Sequence, residues 1–309
     1  MGFTSQSVSF NPERDIPDLG GEVILVTGGN AGLGKQCVLE YARHKPARIW
    51  LAGRSLQKAQ QAADEIAKEV PGADAIVKVL QLDLASFESI KAAAQIVLTE
   101  SSRLDILMCN AGIMAVPAAL TKDGYEMQFG TNHLGHALLF KLLCPLLLKT
   151  SEQPGADVRV ISLTSFGHTQ LPKGGFRFDL LRTPAEEMGG YGRYFQSKLA
   201  NVLWVRQLAK EFPQITAAAV HPGLVRTQLM DGATETAMVV RLAVKVGNMC
   251  LASIPRGAKG QLWASVSKDV KSGEYYEPVG VVGASTDDGK DYELAKKVWD
   301  YTEKALAGV

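Results

Sequence analysis

The passage from Val23 to Gly34 constrains this chain more than any other. An apolar, β-branched run, Val23 to Thr27, feeds directly into Gly28-Gly29-Asn30-Ala31-Gly32-Leu33-Gly34, and helical spacing begins there. β-Branched residues favour extended backbone, and glycines let the chain turn where a Cβ would clash, so a strand here hands over to a helix through a tight turn. The rhythm then repeats. Further strands are expected at Arg48 to Ala52, Ile76 to Leu82, Leu104 to Cys109, Asp157 to Leu163 and Thr216 to Val220. Helices are expected near Leu33 to His44, Leu56 to Val70, Phe87 to Ser101, Gly124 to Lys149, Tyr194 to Glu211 and Gly257 to Ser267. Strands alternating with helices make βαβ units, and strands this apolar are covered on both faces, which predicts a doubly wound α/β fold with a parallel sheet.

No linker or repeat divides the chain, so a single domain over residues 19–309 is expected, preceded by a polar, flexible N-terminal arm at 1–18 that holds Pro12 and Pro17. Apolar residues at 46% and charged residues at 21% are the balance of a soluble globular protein. A formal charge of +1 offers no basic stripe for phosphate backbones, which excludes a nucleic-acid partner. Cys37, Cys109, Cys144 and Cys250 lack metal-site spacing and disulfide density, which fits reduced thiols in the cytoplasm. The most apolar run, Ala137 to Leu148, is too short for a membrane span and carries Lys141 and Pro145, so it reads as a buried helix and no transmembrane anchor is expected.

Between strand and helix, glycine amides can approach a pyrophosphate closely while the open N–H groups of the helix attract its charge. Thr27, Gly28, Asn30, Gly32, Leu33 and Gly34 are the candidates for that cradle, in a Rossmann-type arrangement; a plain strand-to-helix turn is the alternative. About twenty residues further on, a dinucleotide site selects its ribose: an acid takes the 2′-hydroxyl and an Arg suits a 2′-phosphate. Here stands Ala52-Gly53-Arg54-Ser55 with no acid, and Lys35 is close by in sequence. This points to NADP(H), against the alternative that Arg54 is only a solvated surface residue.

Tyr194 and Lys198 lie four apart in a helical stretch, one turn apart on one face. A neighbouring ammonium favours phenolate, so the pair is expected to bring the phenol down towards the pH where it can exchange a proton, as general acid for a carbonyl or base for an alcohol. His133, His136, His168 and His221 show no ligand spacing, and no metal is assigned. A surface-loop position is expected for His168.

From Val23 to about Pro278 the chain resembles the short-chain dehydrogenase/reductase family, whose motifs fall here in order: Thr27 to Gly34, Asp83-Leu84, Asn110-Ala111-Gly112, Asn132, Ser165, Tyr194 with Lys198, and Pro222-Gly223 with Thr227. Within the family, Thr131-Asn132-His133-Leu134-Gly135-His136, Gln196 to Asn201 and His221 to Thr227 look most like the retinol dehydrogenase and protochlorophyllide reductase-like branch. The resemblance implies NADP(H)-dependent reduction of a ketone or aldehyde, or oxidation of the alcohol. It implies that Asp83 and Leu84 hold adenine, that Asn110, Ala111 and Gly112 lie along the adenosine, and that Pro222, Gly223 and Thr227 complete the cofactor contacts. Ser165 would hold the substrate oxygen, with Thr164 its close competitor; Asn132 would support a water chain to Lys198, which binds the nicotinamide ribose.

The polar, Gly-rich stretch 166–193, residues 114–117 and the apolar stretch 224–254 are the expected pocket walls, with Met230, Met238 and Leu242 suggesting a small lipophilic carbonyl or alcohol as substrate. Those side chains could equally form core or a dimer interface. The family implies a homodimer or homotetramer through the two long helices, Gly124 to Lys149 and Tyr194 to Glu211. A non-redox cyclase or isomerase on the same scaffold, an NADP(H) sensor without turnover, and bilayer contact by Met238 to Ile254 are the rival expectations.

Overall fold

The computed structural model describes residues 7–171, 174–225, 251–283 and 285–309. Seven strands form one sheet in the order β3-β2-β1-β4-β5-β6-β7. They are β1 (Val23–Thr27), β2 (Arg48–Gly53), β3 (Val77–Gln81), β4 (Ile106–Cys109), β5 (Arg159–Leu163), β6 (Thr216–Val220) and β7 (Glu274–Tyr276), and every pairing is parallel. Six match the expected strands to within two residues at either end. The seventh was missed, because three residues between Gly273 and Pro278 are too few to show a period. β1, β4 and β5 are buried throughout, whereas edge strand β3 leaves Lys78 and Gln81 to solvent.

Alternation along the strands sorts their side chains onto two cores. Leu25, Leu107 and Val160 meet helices α3 (Phe87–Glu100), α4 (Met127–Ser151) and α5 (Gly189–Glu211) on one face. Ile24, Val26, Ile106, Met108 and Ile161 meet α1 (Gly32–Arg43) and α6 (Ile254–Val266) on the other. α2 (Leu56–Glu69) lies outside β2 and β3, with Ser55 as its N-cap, the hydroxyl accepting from Lys58 N at 3.4 Å.

Several features depart from expectation. The described part of the N-terminal stretch is packed: Phe10 and Ile16 join the second core, and Val8 N donates to Val279 O at 2.9 Å. The apolar run at Ala137 lies in a 25-residue helix, long and apolar enough to cross a membrane, yet 67% of its most apolar window is buried. α4 is therefore the central helix of the first core. A C-terminal helix, α7 (Tyr292–Ala305), lies against α5 and reaches α4, where Tyr301 packs 6.1 Å from Phe129 and Lys141 pairs with Glu303 at 2.8 Å. Among the described residues, none of the exposed large apolar side chains lies on α4 or α5.

A buried polar clasp sets how α4 and α5 meet. Glu126 caps α4, accepting from Gln128 N at 3.0 Å and Phe129 N at 2.6 Å, and pairs with Arg193 at 3.5 Å; the two side chains are 2% and 1% exposed. Arg193 also donates to Val116 O at 2.9 Å and Ala185 O at 3.2 Å, and Gln128 accepts from Ala115 N at 2.9 Å while donating to Gly190 O at 2.8 Å. The clasp holds two alanines in left-handed backbone, Ala115 at φ 46° and Ala185 at φ 52°, a conformation that costs an L-residue about 1–2 kcal/mol. Replacing Arg193 by Met strands a buried carboxylate, so Arg193→Met is expected to lower unfolding free energy by about 3–5 kcal/mol, read from urea denaturation. Adding Glu126→Gln to it is expected to recover a large part of that loss.

Candidate active site

The strand order reverses between β1 and β4, and there the carboxyl ends of the strands surround a cavity of about 490 Å³. Its floor begins with the glycine turn. Gly28 at φ 65° and Gly32 at φ 54° take backbone that L-residues avoid. A Cβ on Gly28 would lie 3.1 Å from the Ala111 Cα, and one on Gly34 would overlap the Gly28 carbonyl. Ala31, the N-cap of α1, has no side chain to cap it, so the first amides of α1 are left without a side-chain acceptor. Ala31, Gly32 and Leu33 line the cavity beside Gly28 and Asn30, which makes this an anion site of the kind a pyrophosphate fits.

Thr27 and Gly34 do not line it. The Thr27 hydroxyl is buried beneath the floor, accepting from Asn110 N at 2.9 Å and Ala111 N at 3.0 Å and lying 2.8 Å from His136 Nε2. His136 Nδ1 lies 3.0 Å from the Asn132 carbonyl and must donate to it, so Nε2 accepts the Thr27 proton and every polar atom is matched. Asn110, Ala111 and Gly112 do line the cavity, and the Asn110 side chain donates to Thr27 O at 2.8 Å. Arg54 stands exposed at the rim, close to the position expected of it. Lys35 is spent elsewhere, in an ion pair with Glu65.

Asp83 and Leu84 lie away from the cavity lining: Asp83 Oδ1 accepts from Ala85 N at 3.1 Å, and Leu84 is buried against Gly135. Pro222 and Gly223 line it. Thr227, together with Met230, Met238 and Leu242, falls outside the described residues.

On the opposite wall Tyr194, Lys198 and Ser165 converge. The Lys198 amine sits 5.7 Å from the Tyr194 ring centroid and donates to the Leu163 carbonyl at 2.9 Å. Burial pushes the Tyr194 phenol up to about 12, against the opposing pull of its hydrogen bond with Ser165, and pushes Lys198 down to about 8. The expected lowering of the phenol by Lys198 is therefore not what the site shows, because removing both groups from water disfavours each charged form. Thr164 and Ser165 both line the cavity and differ in their partners. Thr164 Oγ1 donates to Lys198 O at 2.8 Å, inside the protein, while the Ser165 hydroxyl is the one bonded to Tyr194.

Asn132 is wholly buried behind this wall, in a π-helical turn of α4 at Gly130–Leu134, a feature common at functional sites. Its side chain accepts from Ile113 N at 2.8 Å and donates to Ile113 O and Ser197 Oγ, both at 2.9 Å. A Cβ on Gly112 would lie 3.3 Å from Asn132 Oδ1 and 3.4 Å from Lys198 Nζ, so glycine there lets the two groups share a neighbourhood.

His168 is buried rather than a surface residue, its Nδ1 donating to Ser165 O at 2.7 Å and its ring edge-on to Tyr275 at 4.6 Å. A second, larger cavity of about 1280 Å³ shares His221, Pro222, Gly223 and Leu224 with the first. Phe166, Leu251, Pro278 and Val279 line it, along with Val8 and Phe10 of the N-terminal stretch. Of the expected walls, Met114, Phe166, Leu224 and Leu251 are in place. His221, 3.7 Å from Glu277, was missed; its position directly before Pro222-Gly223 was the available signal. Among the described residues no cluster of His, Cys, Asp and Glu is arranged to hold a metal.

Comparison with known proteins places this geometry. The short chain dehydrogenase family profile matches residues 22–171. The chain is 38% identical over 307 residues to the short-chain dehydrogenase/reductase drtF of Aspergillus calidoustus, covering 94% of this chain and 95% of that one. It is 34% identical over 290 residues to mouse retinol dehydrogenase 12, covering 93% and 86%. A crystal structure of an uncharacterized protein from Mycobacterium paratuberculosis superimposes with a TM-score of 0.74 at 29% identity, covering 95% and 96% of the two chains. With this fold and relatives along almost its whole length, the chain belongs to the short-chain dehydrogenase/reductase family of oxidoreductases, on a branch that includes retinol dehydrogenases.

Proposed function

We propose that the protein transfers hydride between NADP(H) and the carbonyl or alcohol of a small lipophilic molecule. The convergence of Tyr194, Lys198 and Ser165 with the glycine cradle in one cavity carries this reading. Arg54 at the rim, with no acid between Ala52 and Ser55, supports a 2′-phosphate over a free ribose hydroxyl. Gly28, Asn30, Gly32 and Leu33 would hold the pyrophosphate, and Asn110 to Gly112 the adenosine side. Lys198 would hold the nicotinamide ribose.

When bound, the reduced nicotinamide supplies a hydride to the carbonyl carbon. Tyr194, held protonated by its burial, gives its proton to the oxygen, and Ser165 holds that oxygen within reach; in the oxidative direction the same groups run in reverse. The lipophilic character of the substrate is supported by Phe166 and Leu224, apolar and exposed: both line the second cavity, and Leu224 lines the first as well. Cys37, Cys109 and Cys144, all buried and unpaired, support a reducing, cytoplasmic compartment.

Fluorescence titration is expected to show NADPH binding about tenfold or more tightly than NADH, with Arg54→Ala losing most of that preference, as one charge-assisted phosphate contact contributes roughly 1.5–3 kcal/mol. Binding of neither nucleotide would end the proposal. With NADPH and a panel of aliphatic and aromatic aldehydes, Tyr194→Phe is expected to lose about 10²- to 10⁴-fold in turnover while keeping its NADPH affinity. Unchanged turnover in that variant would remove Tyr194 from the chemistry. Because Lys198 loses its proton through about pH 8, kcat/KM for reduction is expected to fall as pH rises past that value, and a profile flat to pH 9.5 would contradict a role for its charge.

A further inference from the structure

We propose that the C-terminal helix α7 is a working part of the active site: through Thr302, His133 and Asn201 it fixes the Leu163 carbonyl that holds the Lys198 amine. These three are then positioning residues, and their importance rests on the role proposed above for Lys198.

The chain of contacts is continuous and buried. Thr302 Oγ1 lies 2.8 Å from His133 Nε2, and His133 Nδ1 lies 3.3 Å from Asn201 Oδ1. Asn201 Nδ2 donates to the Leu163 carbonyl at 3.1 Å, and Lys198 Nζ donates to the same carbonyl at 2.9 Å. None of Thr302, His133, Asn201 and Lys198 is more than 4% exposed.

Only one direction of donation satisfies every member. The Asn201 amide nitrogen faces Leu163, so its Oδ1 faces His133 and can only accept. His133 Nδ1 must then carry the proton, and burial, which pushes this imidazole down to about 3, keeps the ring neutral. Nε2 is left as an acceptor, and the Thr302 hydroxyl is the donor it meets. That hydroxyl also lies 2.7 Å from the Val298 carbonyl, the ordinary back-bond of a helical Thr, and shares its proton between the two. At the far end, the Leu163 carbonyl has both lone pairs engaged, one by Asn201 and one by Lys198. Its orientation is set from two sides, and the amine is set with it.

Packing alone gives no reason for a hydroxyl at this point. The buried residues of α7 are Ala295, Val298 and Thr302, and the surroundings of His133 are aromatic: Phe129 at 5.0 Å and Trp204 at 6.2 Å. Burying Thr, His and Asn there is costly unless each finds its partner, and fully satisfied networks of this kind rigidify what they touch. What this one touches is the carbonyl beside Thr164 and Ser165 at the end of β5.

The test uses the full-length protein labelled with [13Cε]lysine, with Lys198→Arg assigning the Lys198 resonance. Lys198 titrates at about 8, apart from ordinary lysines near 10.4. The other titratable groups acting on or beside it stay out of that range: His136 and His221 are held near 4 and Tyr194 near 12. Thr302→Val keeps the shape of the side chain and removes the hydroxyl; Thr302→Ser keeps the hydroxyl. The expected result is a Lys198 midpoint displaced by about half a unit or more in Thr302→Val and unchanged in Thr302→Ser, because a loosened amine is differently solvated. No displacement in Thr302→Val, or the same displacement in both variants, overturns the proposal. Turnover of decanal with NADPH gives the functional size: about tenfold lower kcat in Thr302→Val, with KM and NADPH affinity held and Thr302→Ser restored to the wild-type rate. The titration needs no substrate, so a wild-type protein that fails to reduce any aldehyde counts against the proposed function while the midpoint still decides the role of Thr302.

Discussion

The site depends first on how closely β1 and β4 approach at the point where the sheet changes direction. Thr27 and Asn110 hold that approach. The Thr27 hydroxyl takes two amides from the turn after β4, and the Asn110 side chain returns a bond to the Thr27 carbonyl. Gly28 and Gly34 are small because the backbone they meet leaves no room for a Cβ. With this latch closed, the amides at the start of α1 and the turn at Asn110 to Gly112 face the same cavity, and a ligand finds the two sides already spaced. The cost of ordering them is met in folding and not in binding.

On the opposite side, burial sets the chemistry. Tyr194 and Lys198 lie in a wall where water is scarce, so the phenol keeps its proton and the amine holds its own less tightly than in solvent. A helix with Tyr and Lys one turn apart suggests a phenol acidified by its neighbour. In the folded protein burial acts the other way, raising the phenol and lowering the amine. The Glu126 and Arg193 clasp behind that wall shows the same physics resolved differently: two charges accept burial because each has the other and several backbone partners.

Much of the arrangement was legible because strand and turn chemistry are local. Val23 to Thr27 and the glycines after it announce themselves through side-chain shape and backbone freedom, and the four-residue spacing of Tyr194 and Lys198 survives into the helix unchanged. Short or long-range features were not legible. β7 has three residues and exists through its pairing with β6. α7 has a clear apolar face, yet nothing local says that this face covers α5 and donates to His133. Nor does the order of motifs along the chain fix the direction of side chains: the Asp83 carboxylate accepts from the Ala85 amide and the Leu84 side chain is buried, both outside the lining of the first cavity.

The amino-acid sequence alone determined the parallel sheet, the order of its first six strands and first six helices, the glycine turn and the face on which Tyr194 and Lys198 stand, all consequences of periodicity and of single-residue backbone preference. The tertiary structure decided which hydroxyl meets Tyr194, which charges are free, and what covers the long helices. Thr164 bonds a helix carbonyl, Lys35 goes to Glu65 and leaves Arg54 at the rim, and α7 lies against α5 and reaches α4. Each of these outcomes is a competition between partners far apart in the chain, and only distance in the folded state settles it.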